Sequence, residues 1–385
     1  MPLPPPLAGI RIIEMAGVGP GPFCGMMLAD HGAEVIRIDR VGGLQVGVPI
    51  EGSRDVMLRS RRTISLDLKS PAAVEIVKRL TGTAHGLIEG FRPGVMERLG
   101  LGPDVLMGIN PALVYGRMTG FGQDGPLSAM PGHDINYIAL SGVLDAVGPK
   151  GGRPVPPLNL VADYGGGGLM LAFGMVSALL ATRAGAPGRV IDCAMSEGAS
   201  LLMAGTWTLI ANGWRSEGRG TGLLDGGAPF YDTYATADGH HVALGAIEDK
   251  FFRRLCDLLG ISEEPVFADQ YDESRWDAMR ARLAEVFAAR PLAHWQDLLE
   301  HEDVCFSAIL AVEDAPAHPH NRARAAFIES GGVTQPAPAP RLGNTQPVEP
   351  VMWREDADKV ALLEELGFSS AEQQDLARSG AFGAA

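Results

Sequence analysis

The stretch GIRIIEMAGVGPGPFCGMMLADHGAEVIRIDR, residues 9–40, decides the fold. Its opening, residues 9–15, is a short apolar run of the kind a buried strand makes. Gly17 to Pro22 is a turn by composition, about 22–31 is an apolar helix, and 33–39 is a second strand. Strand, helix and strand in this order begin an open parallel sheet. The pattern returns at 63–68 (TISLDL), 72–82, 86–89 (GLIE), 94–99 and 113–119 (LVYGRMT). The expectation is a doubly wound α/β domain.

Further along, residues 126–163 are loop-rich, and long apolar helices are expected at about 166–183 and 196–212 around a short strand at 189–193. Near residue 225 the character changes. Two strands meet at the turn Asp238-Gly239, followed by amphipathic helices at about 248–259, 275–289 and 292–301. The segment 332–350 is Pro-rich and aperiodic, as a linker is, and a last helix is expected at 356–366. A chain of 385 residues suits two or three domains at about 150 residues each. We expect a large domain at 1–215, a smaller α+β domain at 225–330, and a segment 331–385 that returns to the first.

Charge narrows the function. The chain carries 32 Lys and Arg against 46 Asp and Glu, a net charge of −14, which argues against a general nucleic-acid binder. Yet residues 1–100 hold 12 basic and 10 acidic residues. Arg37, Arg40, Arg54, Arg59, Arg61, Arg62 and Lys69 form a basic island, which suits an anionic small ligand. Cys24, Cys193, Cys256 and Cys305 lie far apart, and no His or Cys pair has metal-ligand spacing, so neither disulfides nor a metal is expected. The N-terminal MPLPPPLAG lacks the pattern of a signal peptide, and the C-terminal SGAFGAA lacks a peroxisomal signal. The longest apolar run, Leu169 to Thr182, reads as a buried helix too short to span a membrane. A cytoplasmic location without membrane attachment is the expectation.

Gly17-Val18-Gly19-Pro20-Gly21-Pro22 invites a dinucleotide fingerprint, with Asp39 at the end of the next strand. Pro20 and Pro22 offer no N–H to a pyrophosphate, so a nicotinamide cofactor is rejected. Three other places hold chemistry. His133, in GHDINY, precedes an apolar helix, where Asp134 is a plausible N-cap. Asp163 precedes Gly165 to Gly168 at an expected helix start, where free N–H groups would hold an oxyanion. Four glycines in a row are entropically costly, so a ligand or another backbone needs that room. Glu248 stands between a strand and a helix.

Together the segments GPGPFCGMMLADHGAEVIRIDR, ISLDLKS, LIEGFRPGVMERLGLGP, GRMTGFGQDGP, GHDINYIALSGVL, PPLNLVADYGGGGLM, LDGGAPFYDTYATADG and GAIE carry a resemblance. The chain resembles the class III CoA-transferase family, and within it the branch that racemises 2-methylacyl-CoA thioesters. The likeness runs from about residue 7 to about 330. It departs locally at Asp303-Val304-Cys305-Phe306-Ser307-Ala308, where the family often has a proline.

The resemblance implies an interlocked homodimer of Rossmann-like large domains and smaller domains, with each active site shared between two chains. It implies contacts to a CoA ester from Arg40, from Leu66, Asp67, Leu68 and Lys69, from Ile88 and Arg92, and from Gly132, Asp134, Ile135, Asn136 and Tyr137. It implies that His133 and Asp163 serve opposite faces of the carbon next to the thioester, and that Glu248 orients the histidine. Backbone N–H groups at Gly165–Gly168 would hold the thioester oxygen. Inversion by proton removal through an enolate needs no cofactor beyond the CoA of the substrate. The alternative on the same fold is a CoA-transferase, in which Asp163 attacks the thioester as a nucleophile. A third reading is a non-catalytic CoA-binding protein, which His133, Asp163 and Glu248 together argue against.

Overall fold

A computed structural model describes residues 2–43, 47–213 and 217–383. Six parallel strands form its main sheet: β1 (Arg11–Met15), β2 (Glu34–Arg40), β3 (Arg61–Leu66), β4 (Gly86–Glu89), β5 (Val114–Thr119) and β6 (Val190–Ala194). Their spatial order is β3-β2-β1-β4-β5-β6. Strands β1 to β5 are buried almost throughout, as a parallel sheet covered on both faces requires. The order reverses between β1 and β4, which are paired neighbours. In open α/β sheets a ligand crevice lies at that reversal, beyond the carboxyl ends of the strands.

The helices between these strands begin on proline. Helices α1 (Pro20–Asp30), α2 (Pro71–Thr81) and α4 (Pro103–Ile109) carry Pro at the first position, where the missing N–H loses nothing. Helix α3 (Val95–Arg98) is one turn long. Helix α5 (Asp134–Leu140) follows the loop after β5. On one side of the sheet Ile13, Ile36, Ile64, Leu87 and Tyr115 pack with Ile76, Leu80 and Leu106 of the helices. Leu362, Leu363, Phe368 and Ala381 join the same core, so the C-terminal segment belongs to this unit. It also runs along the outer strand. The N–H groups of Thr63 and Ser65 donate to the carboxylates of Asp358 and Asp356 at 3.1 and 2.5 Å. That contact covers an otherwise open sheet edge.

Two compact units result. The larger holds residues 1–141, 158–203 and 322–385; the smaller holds 142–157 and 204–321. The smaller unit thus includes the loop at 142–157, well before the boundary expected near 225. Arg219 holds that loop by donating to the carbonyl oxygens of Asp145 and Gly152. Its sheet is antiparallel, from β7 (Thr233–Ala235), β8 (His241–Leu244) and β9 (Phe306–Ala308). Phe230, Trp276, Met279, Phe287 and Trp295 form its core.

Several expectations need correction. Residues 332–350 are not all linker: β10 (Phe327–Ser330) and β11 (Val333–Pro336) form a hairpin. A further helix, Ser370–Arg378, follows the one at Lys359–Glu365. The single helix expected at 196–212 is two, Met195–Leu202 and Ala204–Ala211. The apolar helix expected from about 166 begins at Leu160 and runs unbroken to Arg183. Its 24 residues are long and apolar enough to cross a membrane by length and composition, and 44% of its most apolar window is buried within the chain. Leu169, Phe173, Val176 and Leu180 line its exposed side.

Candidate active site

The switch point between β1 and β4 is flanked by Gly17–Pro22 after β1 and by Gly90–Gly94 after β4. Gly19 has a φ of +68°, which favours glycine, and a Cβ there would be in ordinary contact with Oδ2 of Asp163, at 3.4 Å. Asp163 therefore sits against the end of β1. It stands in the first turn of the Leu160–Leu169 segment, which is wound as a wide π-helix. Such widened turns recur at functional sites. Four residues earlier, Asn159 Nδ2 donates to Asp163 Oδ2 at 3.1 Å.

His133 occupies the N-cap position of α5 and is exposed, with its N–H donating to Asn136 Oδ1 at 3.0 Å. Asp134, the expected N-cap, is instead the first residue of the helix and caps a different one. Its Oδ2 accepts from the N–H groups of Ala162 and Asp163, at 2.7 and 2.9 Å. Those are orphan donors at a helix start, and a carboxylate satisfies them well. Because His133 and Asp134 are adjacent in sequence, this bridge also brings His133 to Asp163.

The electrostatics follow from this placement. Burial raises the Asp163 carboxyl above its ordinary value, against the hydrogen bond from Asn159; Asp134 adds to the rise and His133 opposes it. Tyr137 is buried, and its hydroxyl donates to the Gly132 carbonyl at 2.5 Å. Burial first, and then Asp163, push the Tyr137 hydroxyl up to about 12, while Arg92 acts in the opposite direction. The Tyr137 ring leaves no room for a side chain at Gly120 or Gly132, where a Cβ would lie 2.2 or 2.7 Å from it. It thus fixes the loop that carries His133.

The glycine row is the clearest departure from expectation. Gly165–Gly168 lie inside the π-helix, not at its start, so their N–H groups are not presented to a ligand. The room they leave is filled by backbone. A Cβ on Gly166 would lie 2.5 Å from the Ala199 nitrogen, and one on Gly198 would lie 1.8 Å from the Gly166 oxygen. A Cβ on Gly168 would lie 2.8 Å from the Pro20 oxygen.

The basic island is also mostly internal. Arg59 is buried against Asp30, and Arg37 and Arg61 are buried against Glu14. Arg62 pairs with Glu34 and Glu365. Arg40, Arg54 and Lys69 remain exposed, and among the described residues they enter no ion pair. Arg40 ends β2, and exposed Arg92 follows β4, so both stand at the carboxyl end of the sheet. Leu66 and Ile88 are core residues, 1% exposed, so only their main chain is available to a ligand. Asp67 turns its carboxylate to the N–H of Lys69, with Leu68 half-buried between them. Ile135 and Asn136 are exposed on α5. Glu248 belongs to the smaller unit, where it is the exposed N-cap of the helix Asp249–Leu259.

Asn159 and Gly19 escaped the sequence reading. The i, i+4 spacing of Asn159 and Asp163 was a usable signal. Gly19 gave none beyond its place in a Gly/Pro turn.

A Rossmann-type sheet with a histidine and a half-buried carboxyl brought together beside its switch point defines an α/β protein with groups suited to acid/base or acyl chemistry. The chain belongs to CoA-transferase family III, which it matches over residues 7–355. It is 44% identical over 370 residues to alpha-methylacyl-CoA racemase of Mus musculus, covering 95% of this chain and 94% of that one. It is 43% identical over 371 residues to alpha-methylacyl-CoA racemase of Homo sapiens, with the same coverage. Among solved structures, a CAIB/BAIF family protein from Brucella suis superimposes with a TM-score of 0.82 at 27% identity, over 95% of this chain and all of that one.

Proposed function

We propose that this protein racemises 2-methylacyl-CoA thioesters by moving one proton off and onto the carbon next to the thioester. The observation that carries the reading is the bridge from Asp134 to the Ala162 and Asp163 N–H groups, which joins a histidine and a carboxyl at one site. The two mammalian relatives bear the name of this activity.

His133 takes the proton from one face, and Asp163 returns one to the other. The reverse direction exchanges these roles. Asp163 must be protonated in one resting form, and burial favours that form. Asn159 and Gly19 occupy the Oδ2 side of the carboxyl, which leaves Oδ1 as the reacting oxygen. With the glycine row enclosed in its helix, the donors for the enolate oxygen are the backbone N–H groups opening α5, beside His133. Arg40 and Arg92 take the phosphates of the CoA ester, and the main chain at 66–69 and 88 lines its path.

The working unit in this reading is a homodimer. Leu169, Phe173, Val176 and Leu180 face a second copy, and Glu248 from that copy's smaller unit orients His133. Light scattering at micromolar concentration is expected to show a dimer. An active monomer, or a protein soluble only in detergent, contradicts this part.

A CoA-transferase working through Asp163 is the second reading, favoured by the family as a whole. Incubating one enantiomer of a 2-methylacyl-CoA in deuterium oxide separates the two. Racemisation with uptake of deuterium is expected, whereas transfer of the CoA to an added carboxylic acid without exchange would mark the transferase.

A further inference from the structure

A buried charge cluster contacts the turn after β1, the turn that packs against Asp163. Glu14, on β1, is fully buried, as is the Arg61 side chain, and that of Arg37 is 4% exposed. Glu14 Oε1 accepts from Arg37 Nη1. Glu14 Oε2 accepts from Arg61 Nε and Nη2, at 3.1 and 2.9 Å. Each guanidinium has further bonds: Arg37 Nε donates to Asp39 Oδ1 and Arg61 Nη1 to the Arg59 carbonyl, both at 2.7 Å. Arg37 Nη2 reaches the Gly17 carbonyl at 3.5 Å, and Arg61 Nη2 reaches the Pro22 carbonyl at 2.5 Å. Glu14 is thus the carboxylate shared by two cations that reach the two ends of the turn 17–22, with Asp39 as a second partner of Arg37 alone.

Helix α1 accommodates this arrangement only through Gly25, where a Cβ would lie 2.1 Å from Glu14 Oε2. The middle of the gripped turn is Gly19, the residue packed against Asp163 Oδ2. Pro20 and Phe23, just beyond it, pack on the Gly167–Gly168 stretch of the π-helix, and the Phe23 ring lies 4.9 Å from that of Tyr164. Burying three charges is expensive, and a well-packed apolar cluster would serve stability as well. A rigid turn with a defined position is what the charges add.

We propose that Glu14 is a positioning residue for the Asp163 face: acting through Arg37 and Arg61, it sets the turn whose Gly19 backs the Asp163 carboxyl. His133 is held from elsewhere, by α5 and Tyr137. Glu14 therefore acts on one face of the reaction and not on the other. This rests on Asp163 being an acid/base group.

The test uses the full-length protein, both enantiomers of a 2-methylacyl-CoA, and α-proton exchange in deuterium oxide. Asp163→Asn first identifies the enantiomer whose exchange needs Asp163; if it spares both, the assignment of Asp163 fails and the role of Glu14 with it. Glu14→Gln is then expected to slow exchange of that enantiomer by roughly 10²-fold, the scale of a small misplacement, with KM little changed. Exchange of the other enantiomer is expected to stay near the parent rate. If Glu14→Gln lacks the parent circular dichroism spectrum, Arg37→Lys replaces it, since it keeps a cation beside Glu14 and loses the fork that reaches Gly17. Equal loss at both faces means a structural role only, and unchanged exchange at both means none; either overturns the proposal.

Discussion

The carboxylate of Asp134 accepts hydrogen bonds from the N–H of Asp163 at 2.9 Å and from that of its neighbour Ala162 at 2.7 Å. One acid, next in sequence to the candidate base, thus sets the position of the candidate acid. Its other oxygen, Oδ1, is buried and has no protein partner among the described residues. Asp134→Ala removes two charge-assisted bonds, each worth about 1.5–3 kcal/mol. It is expected to lower the melting temperature and to lower kcat far more than it raises KM. A variant with parent kcat contradicts the role of the bridge.

Stability should depend on Asp163 with a definite sign. Its carboxyl is raised by burial, so the folded state favours the neutral form. That contribution is fully present below the ordinary carboxyl value of 3.8 and is lost as pH rises through the raised value. Asp163→Asn is neutral throughout, so it is expected to melt above the parent at pH 7, the difference closing as pH falls. Calorimetry across this range checks it; a variant melting below the parent at pH 7 contradicts it.

Arg40 and Arg92 are exposed, so replacing them leaves the fold intact. Each alanine variant is expected to weaken binding of free CoA by about 10- to 100-fold, the worth of one charged hydrogen bond. Titration calorimetry reads this directly. Unchanged affinity in both variants moves the CoA site elsewhere.

Gly198→Ala is expected to be among the most damaging small substitutions in the chain. Its Cβ would lie 1.8 Å from the Gly166 carbonyl oxygen, backbone against backbone. Overpacking of this kind costs about 1–3 kcal/mol or more. A drop in melting temperature is the expected signature, and a variant melting with the parent contradicts it.

The strands of the large sheet were legible because they are buried on both faces and read as short apolar runs: the bounds of β1 to β5 fall within two residues of 9–15, 33–39, 63–68, 86–89 and 113–119. His133 and Asp163 were legible as chemistry, but the link between them was not. Asp134 looks like a cap for its own helix, and nothing local says that its carboxylate crosses to Ala162. The basic island misled for the same reason. Charge counting sees Arg37, Arg59 and Arg61 but not Glu14 or Asp30 folded against them. The glycine row signals close approach by a ligand or another backbone, and the neighbour is the backbone at 198–199. Such pairings between distant segments have no periodic signature.

The central claim is that two different groups serve two faces of one carbon. The most direct measurement follows α-proton exchange of each enantiomer in deuterium oxide with His133→Ala and Asp163→Asn, alongside racemisation. Both variants are expected to lose racemisation, because inversion needs both groups, while each still exchanges the enantiomer whose base it retains. Opposite selectivity in the two variants is the expected result. Full racemisation by His133→Ala would contradict the account.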